Sequence, residues 1–223
     1  MTFSIVARCA ATGQFGMAIS SSSPAVAARC AHVRAGVGVV ASQNITDPEL
    51  GTLTLDAMAT GLSSERAIAD VLRNYRYSEY RQLLAVDSSG NVSVHSGSNV
   101  LGTWAETKGT CCAAAGNLLA KAEIASIMVT CFESTKGQLA ERLLTALEAA
   151  ATAGGEAGPV HSAGLKVADK LSWPFIDLRV DWSETPIQDL RAAWEIYRPQ
   201  AAAYVQRALD PTRAPSYGVP GDL

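Results

Sequence analysis

A surplus of positive charge is missing: 18 Lys and Arg stand against 21 Asp and Glu, for a net charge of −3. A chain with that balance, and without a basic cluster, has no electrostatic footprint for nucleic acid or an anionic membrane, so neither is expected as a partner. A charged leader followed by an apolar run and a cleavage site is also missing. No stretch stays apolar long enough to cross a bilayer, and the expected location is the cytoplasm. Cysteine is sparse and odd in number (Cys9, Cys30, Cys111, Cys112 and Cys131), without a CxxC pair. That spacing is not a secreted disulfide framework. Histidine is limited to His32, His95 and His161, so no metal site is expected, and no organic cofactor is predicted. The familiar catalytic signatures are absent too: no GxGxxG after a strand, no Walker loop, no HExxH and no GxSxG. The run Ser20 to Ser23 has no flanking glycines to form a nucleophile elbow. Lysine, finally, does not occur before Lys108.

What is present is enough for a large core. The chain has 223 residues and is 48% hydrophobic, which suits one domain over 1–223 with a loop-like, Pro- and Gly-containing tail at 210–223. Thr2 to Cys9 reads as a strand with Phe3, Ile5 and Ala7 on one face and Thr2, Ser4, Val6 and Arg8 on the other. A turn leads to a second strand from Phe15 to Ser20. Gly36 to Ser42 is apolar throughout and predicts a strand covered on both faces. Helices are predicted from Pro48 to Gly61 and after the cap Ser63. Gln82 to Val86 and Asn91 to Ser96 predict a hairpin, followed by a strand around Cys111 to Ala115, in which Cys111 and Cys112 point to opposite faces. Two apolar stripes, through Ile124–Phe132 and Leu139–Leu147, predict two more helices. The Gly-rich loop ATAGGEAG precedes strands at Val160 to Ala168 and Phe175 to Val180. Thr185-Pro186 opens a last helix, which Pro199 interrupts and Tyr204 to Leu209 resumes. Strands in runs, separated by helix pairs, predict an α+β layered sandwich.

The one constellation with chemistry in it is at the start. A Thr hydroxyl is a poor nucleophile at neutral pH and needs a base beside it. If Met1 is removed, Thr2 carries both a hydroxyl and a free α-amine, whose ordinary pKa of about 7.7–8.0 suits a base near neutrality. The bland alternative is a β-branched residue favouring a strand. Elsewhere, Gln43 and Asn117 are amides at strand ends, able to donate to an oxyanion or a substrate carbonyl; Gly116-Asn117 reads equally as a turn. Arg34, just before the third strand, is the cation expected nearest to the Thr2 site. It suits anion stabilisation or lowering of the amine's proton affinity, or an ordinary surface position at a strand entrance. His95 is read as a structural, hydrogen-bonded residue, and Asp181 as ending a strand and pairing with Arg179.

The stretches TFSIVAR, SSSSPAV, RAGVGVVASQ, RQLLAVDSSGNVSVHSG, GNLL, AERLLTALEAA, the GGE loop and DLRVDW occur in one order. Together they resemble a widespread bacterial family of uncharacterised, predicted N-terminal-nucleophile hydrolases. The resemblance covers most of the chain. It implies a four-layer αββα sandwich, two packed antiparallel sheets flanked by helices, with the active site at the sheet edge where Thr2 begins. It implies Thr2 as nucleophile, Ser21 as the polar neighbour on the second strand, Asn117 in the GNLL turn as a site amide, and Glu156 as an amine or amide contact. The sequence departs from the pattern in two places. The lysine that better-known relatives use soon after the nucleophile is missing, and Pro159, Val160 and His161 replace an arginine and a glutamine around the GGE loop.

The expected function is therefore an amidohydrolase acting on a C–N bond of a small molecule. Catalysis is assigned to Thr2, Arg34 and Asn117, and substrate contact to Ser21, Gln43 and Glu156. A catalytically silent binding or structural module on the same scaffold is the alternative, and thiol chemistry at Cys111 or Cys112 is a third reading. The apolar C-terminal helix and Pro-rich tail predict a homodimer or higher homo-oligomer.

Overall fold

The computed structural model describes residues 1–219. Among the described residues ten strands form two antiparallel sheets. The first sheet contains β1 (Thr2–Arg8), β2 (Phe15–Ser21), β7 (Ala105–Gly109), β8 (Cys112–Asn117), β9 (Ser162–Ala168) and β10 (Ile176–Val180), in the order β10-β9-β2-β1-β8-β7. The second contains β3 (Ala31–Arg34), β4 (Gly38–Asn44), β5 (Arg81–Asp87) and β6 (Val92–Ser96), in that order.

Side-chain alternation then dictates the layering. In β1, Phe3, Ile5 and Ala7 point to one buried cluster and Val6 to another, so the strand is covered on both faces. The first cluster is closed by α4 (Ile124–Ser134), α5 (Leu139–Thr152) and α6 (Pro186–Tyr197) through Met128, Leu143, Leu147, Leu190 and Trp194. The second cluster lies between the sheets, where Val6, Met17 and Ile19 meet Val39, Ala41, Leu84 and Val86. The third packs Val40, Leu83 and Ala85 against α2 (Pro48–Ala59) and α3 (Ser64–Leu72). Three apolar interlayers make four layers, helices–sheet–sheet–helices, which is the αββα sandwich expected. The apolar run at β4 is covered on both faces, as its composition required.

Both helices begin where Pro48 and Ser63 predicted. Asp47 caps α2 by accepting from Glu49 N–H at 3.1 Å, with Pro48 in the first turn, and Ser63 caps α3 by accepting from Arg66 N–H at 3.4 Å. The β5–β6 hairpin closes with the register Leu84 opposite Val94. Other details differ. The short helix α1 (Val26–Cys30), β3 and β7 carry too little periodicity to be seen in sequence. Cys111 is not in a strand: it sits in a turn at φ +57°, and β8 begins at Cys112. Thr185 forms no capping bond to the α6 backbone; its hydroxyl meets Asp189 at 3.3 Å instead.

At the C-terminus α7 (Ala201–Leu209) follows α6, and the predicted loop begins with a short 3₁₀ turn at Pro211–Arg213. Arg207 stacks 3.7 Å from the Tyr217 ring centroid and so ties that segment back to α7. Of the predicted tail, residues 220–223 lie outside the described residues. Among the described residues no helix is long and apolar enough to cross a membrane.

Candidate active site

Thr2 opens β1 at the middle of the first sheet and is 5% exposed. Two registers determine its neighbours. Thr2 lies directly opposite Asn117, the last residue of β8, and the pairing of Phe3 with Ser20 brings Ser21 alongside it. Both side chains share the inter-sheet face with Thr2, because Val6 and Ile19 of the same alternating series lie in the inter-sheet cluster. Thr2 Oγ1 lies 3.4 Å from Ser21 Oγ, and both hydroxyls donate to the Met1 carbonyl. Ser21 Oγ in turn accepts from Ser23 N–H at 3.0 Å. The first peptide unit of the chain is thus gripped by two hydroxyls.

Glu156 arrives from the far end of the sequence. After α5 the chain reverses at Gly154 and Gly155, both at positive φ, with Gly155 N–H donating to Ala150 O at 2.9 Å. A left-handed residue is accessible there without cost only to glycine. Glu156 then bridges to Leu119, next to the end of β8. Its side chain is buried, and its two oxygens accept from Ser22 N–H at 3.2 and 3.3 Å. Burial pushes the carboxyl up to about 7, against the opposing pull of the N-terminal ammonium, the Ser22 N–H and His161. A buried carboxylate that feels the amine is the dominant electrostatic feature here. His161 belongs to the same corner, its N–H donating to Ser21 O at 2.8 Å and its ring stacked 4.4 Å from Trp182.

The remaining candidates separate into near and far. Asn117 is 1% exposed and its Nδ2 donates to Gln82 Oε1 at 3.2 Å. Gln43 is completely buried between the sheets, with Oε1 accepting from Ser4 at 2.6 Å and Nε2 donating to Gln82 and to Ala115 O. All of its polar atoms are engaged inside the protein, so it braces the site rather than facing a substrate. Arg34 pairs with Asp56 at 2.8 Å and lies opposite Gly38. That is about 17 Å along β4 from Gln43 at ~3.4 Å per residue, so the structure does not bring Arg34 to Thr2. Gln82 is the residue sequence reasoning missed. A polar Gln within the apolar run RQLLAV was its only signal in the sequence, and the structure buries it completely.

The positions of His95, Asp181 and Cys112 are also clear. His95 Nε2 lies 3.1 Å from Ser78 O, and Asp181 pairs with Arg179 at 2.8 Å, both structural as expected. Cys112 is buried, and desolvation, with Glu133 adding to it, pushes its thiol up to about 12, which leaves negligible thiolate at neutral pH. Among the described residues no group of three or more His, Cys, Asp or Glu is placed to hold a metal ion.

Comparison with known proteins adds the following. The model of the family of unknown function DUF1028 matches residues 2–190. A crystal structure of protein SPO2555 from Silicibacter pomeroyi, from the same family, is similar with a TM-score of 0.86 and 27% identity, over 92% of this chain and 90% of that one. Anbu (ancestral beta-subunit) from Yersinia bercovieri aligns over 92% of this chain and 97% of that one, with a TM-score of 0.40 and 11% identity. Anbu from Hyphomicrobium sp. strain MC1 aligns over 92% and 98%, with 0.41 and 12%. Both Anbu likenesses are too faint to carry weight. No curated protein matches the chain significantly.

Proposed function

This chain belongs to the family of unknown function DUF1028, and we propose that it is an N-terminal-nucleophile hydrolase of amide-type C–N bonds in small molecules, with Thr2 as nucleophile after Met1 is removed. The observation that carries this reading is the convergence of the Thr2 and Ser21 hydroxyls on the first peptide unit, with the buried Glu156 held on Ser22 N–H beside them and within electrostatic reach of the N-terminal ammonium. Burying such a polar cluster inside a four-layer core is costly.

In the mature chain the Thr2 amine takes the proton as Oγ1 forms a bond to the substrate carbonyl carbon. Backbone N–H groups and the Asn117 NH2 receive the developing oxyanion. Collapse breaks the C–N bond, and the amine returns its proton to the leaving nitrogen. Water then attacks the Thr2 ester by the same route and releases the acid. Glu156 lies within electrostatic reach of the N-terminal amine.

One observation favours the second reading, a silent binding or structural module. The charged group beside the amine is a carboxylate, while Arg34, the cation expected to assist the base, is paired with Asp56 elsewhere. The test is an untagged protein screened against small amides and N-acyl compounds, with intact mass measured in parallel. The hydrolase reading expects a mature chain beginning at Thr2, residual turnover in Thr2→Ser and loss in Thr2→Ala. A retained Met1, or full activity in Thr2→Ala, supports the module instead. The protein is further proposed to be cytoplasmic and homo-oligomeric, with α7 and its exposed Tyr204 and Leu209 in the contact.

A further inference from the structure

The inter-sheet layer beneath Thr2 holds a chain of buried amides that joins Ser4, Gln43, Gln82 and Asn117. Gln43 and Gln82 are completely buried. Ser4 Oγ donates to Gln43 Oε1 at 2.6 Å, Gln43 Nε2 donates to Gln82 Oε1 at 2.8 Å, and Asn117 Nδ2 donates to that same oxygen at 3.2 Å. Gln82 Nε2 donates onward to Ser96 Oγ at 3.0 Å.

The direction of this chain follows from the backbone. Gln43 Nε2 lies 3.2 Å from the carbonyl oxygen of Ala115. A carbonyl only accepts, so the Gln43 atom facing it must be the NH2. The Gln82 atom facing that NH2 is then an oxygen. Gly116 O, 3.4 Å from Gln82 Nε2, requires the same orientation. The Asn117 atom that meets Gln82 Oε1 is consequently its NH2, and no flip of one amide alone satisfies its neighbours. An amide NH2 is planar, so holding one N–H on Gln82 settles the direction of the other.

We propose that Gln82 is a positioning residue: it holds one Asn117 N–H and thereby aims the second beside Thr2, where the oxyanion of the acylation step forms. This rests on the hydrolase reading above and deepens it. Asn117 is directly opposite Thr2 in the ladder, where facing Cβ atoms are about 4.5–5.5 Å apart. Its own backbone is held by the sheet, leaving the side-chain torsions as the freedom that Gln82 removes. Locking those torsions before reaction is what makes an oxyanion donor effective.

The test uses β-butyrolactone, which acylates a nucleophilic Thr through a tetrahedral oxyanion without needing the natural substrate. The rate of adduct formation on Thr2 is read by intact mass and peptide mapping of the full mature chain. Gln82→Met keeps the length and removes both the acceptor and the donors; acylation should slow about 10- to 100-fold, below the ~10²–10³ that loss of a whole oxyanion donor costs. Ser4→Ala removes a hydrogen bond from the far end of the same chain but leaves Gln43 held by Ala115 O, and should change the rate less than 3-fold. Urea melts of both variants separate stability from rate. Side-chain amide resonances of Asn117 supply a readout independent of reactivity: two well-dispersed Nδ2 proton signals that converge in Gln82→Met. Wild-type chain without an adduct on Thr2 overturns the hydrolase reading, and the positioning role with it. An adduct that forms equally fast in Gln82→Met, or rates in both variants that simply follow loss of stability, overturn the positioning role alone.

Discussion

Replacing Glu156 with Gln removes one charge and keeps the shape, and the structure gives the size of the effect. The carboxyl titrates at about 7 in the folded protein, against an ordinary value of 4.5, because it is buried. A folded pKa above the unfolded one means that the native state binds extra protons between the two values. Stability is therefore fullest below about 4.5 and is lost as pH rises towards 7. At about 1.36 kcal/mol per pH unit, the loss is roughly 3 kcal/mol. Glu156→Gln should abolish that slope, since Gln does not titrate and its carbonyl still accepts from Ser22 N–H. Urea denaturation of wild type and variant at pH 4.5 and pH 8 measures the difference. The variant should gain about 3 kcal/mol on wild type between the two pH values, or about 6–12 °C in melting temperature at ~2–4 °C per kcal/mol for a domain of this size. A gain under about 1 kcal/mol refutes the claim that desolvation dominates. A change of opposite sign means that the ammonium binds the carboxylate more strongly than burial opposes it.

Three other outcomes follow from the packing and the geometry. Arg34→Ala breaks a half-exposed ion pair with Asp56, so it should cost less than about 1 kcal/mol and leave Thr2 acylation unchanged; a large loss of acylation would return Arg34 to the site. Trp194→Ala should destabilise by about 3–5 kcal/mol, because the indole is fully buried against the first sheet and its Nε1 donates to Glu141 at 2.8 Å; a chemical melt checks it. Cys112 should resist iodoacetamide in the native protein at pH 8 and react after unfolding, as its burial and raised pKa require; mapping of the alkylated peptides reads this directly.

Much of the architecture was legible from local patterns. The alternation in TFSIVAR assigned the faces of β1 before any partner was known, and it is that alternation which puts Thr2 on the inter-sheet face. Pro48 and Ser63 marked helix starts because their chemistry acts within a few residues of themselves. Where the signal depended on a partner, it failed. β7 has the sequence AETKG and is a strand because β8 offers its edge, and Arg34, expected beside Thr2, pairs with Asp56 instead.

The site divides along the same line. Thr2, with its hydroxyl beside a potential amine, is a property of one residue and its neighbour, so sequence alone determined it. The polar groups around it come from residues 21, 82, 117 and 156, and only the folded sheets decided which of them meet. Hydrogen bonds and desolvation act over a few ångströms, whereas the sequence separates Thr2 from Glu156 by most of two sheets and five helices. Gln43 and Gln82 show the difference most plainly. Each is a polar residue in an apolar strand when read in order, and a directed chain of amides when the two sheets close on it.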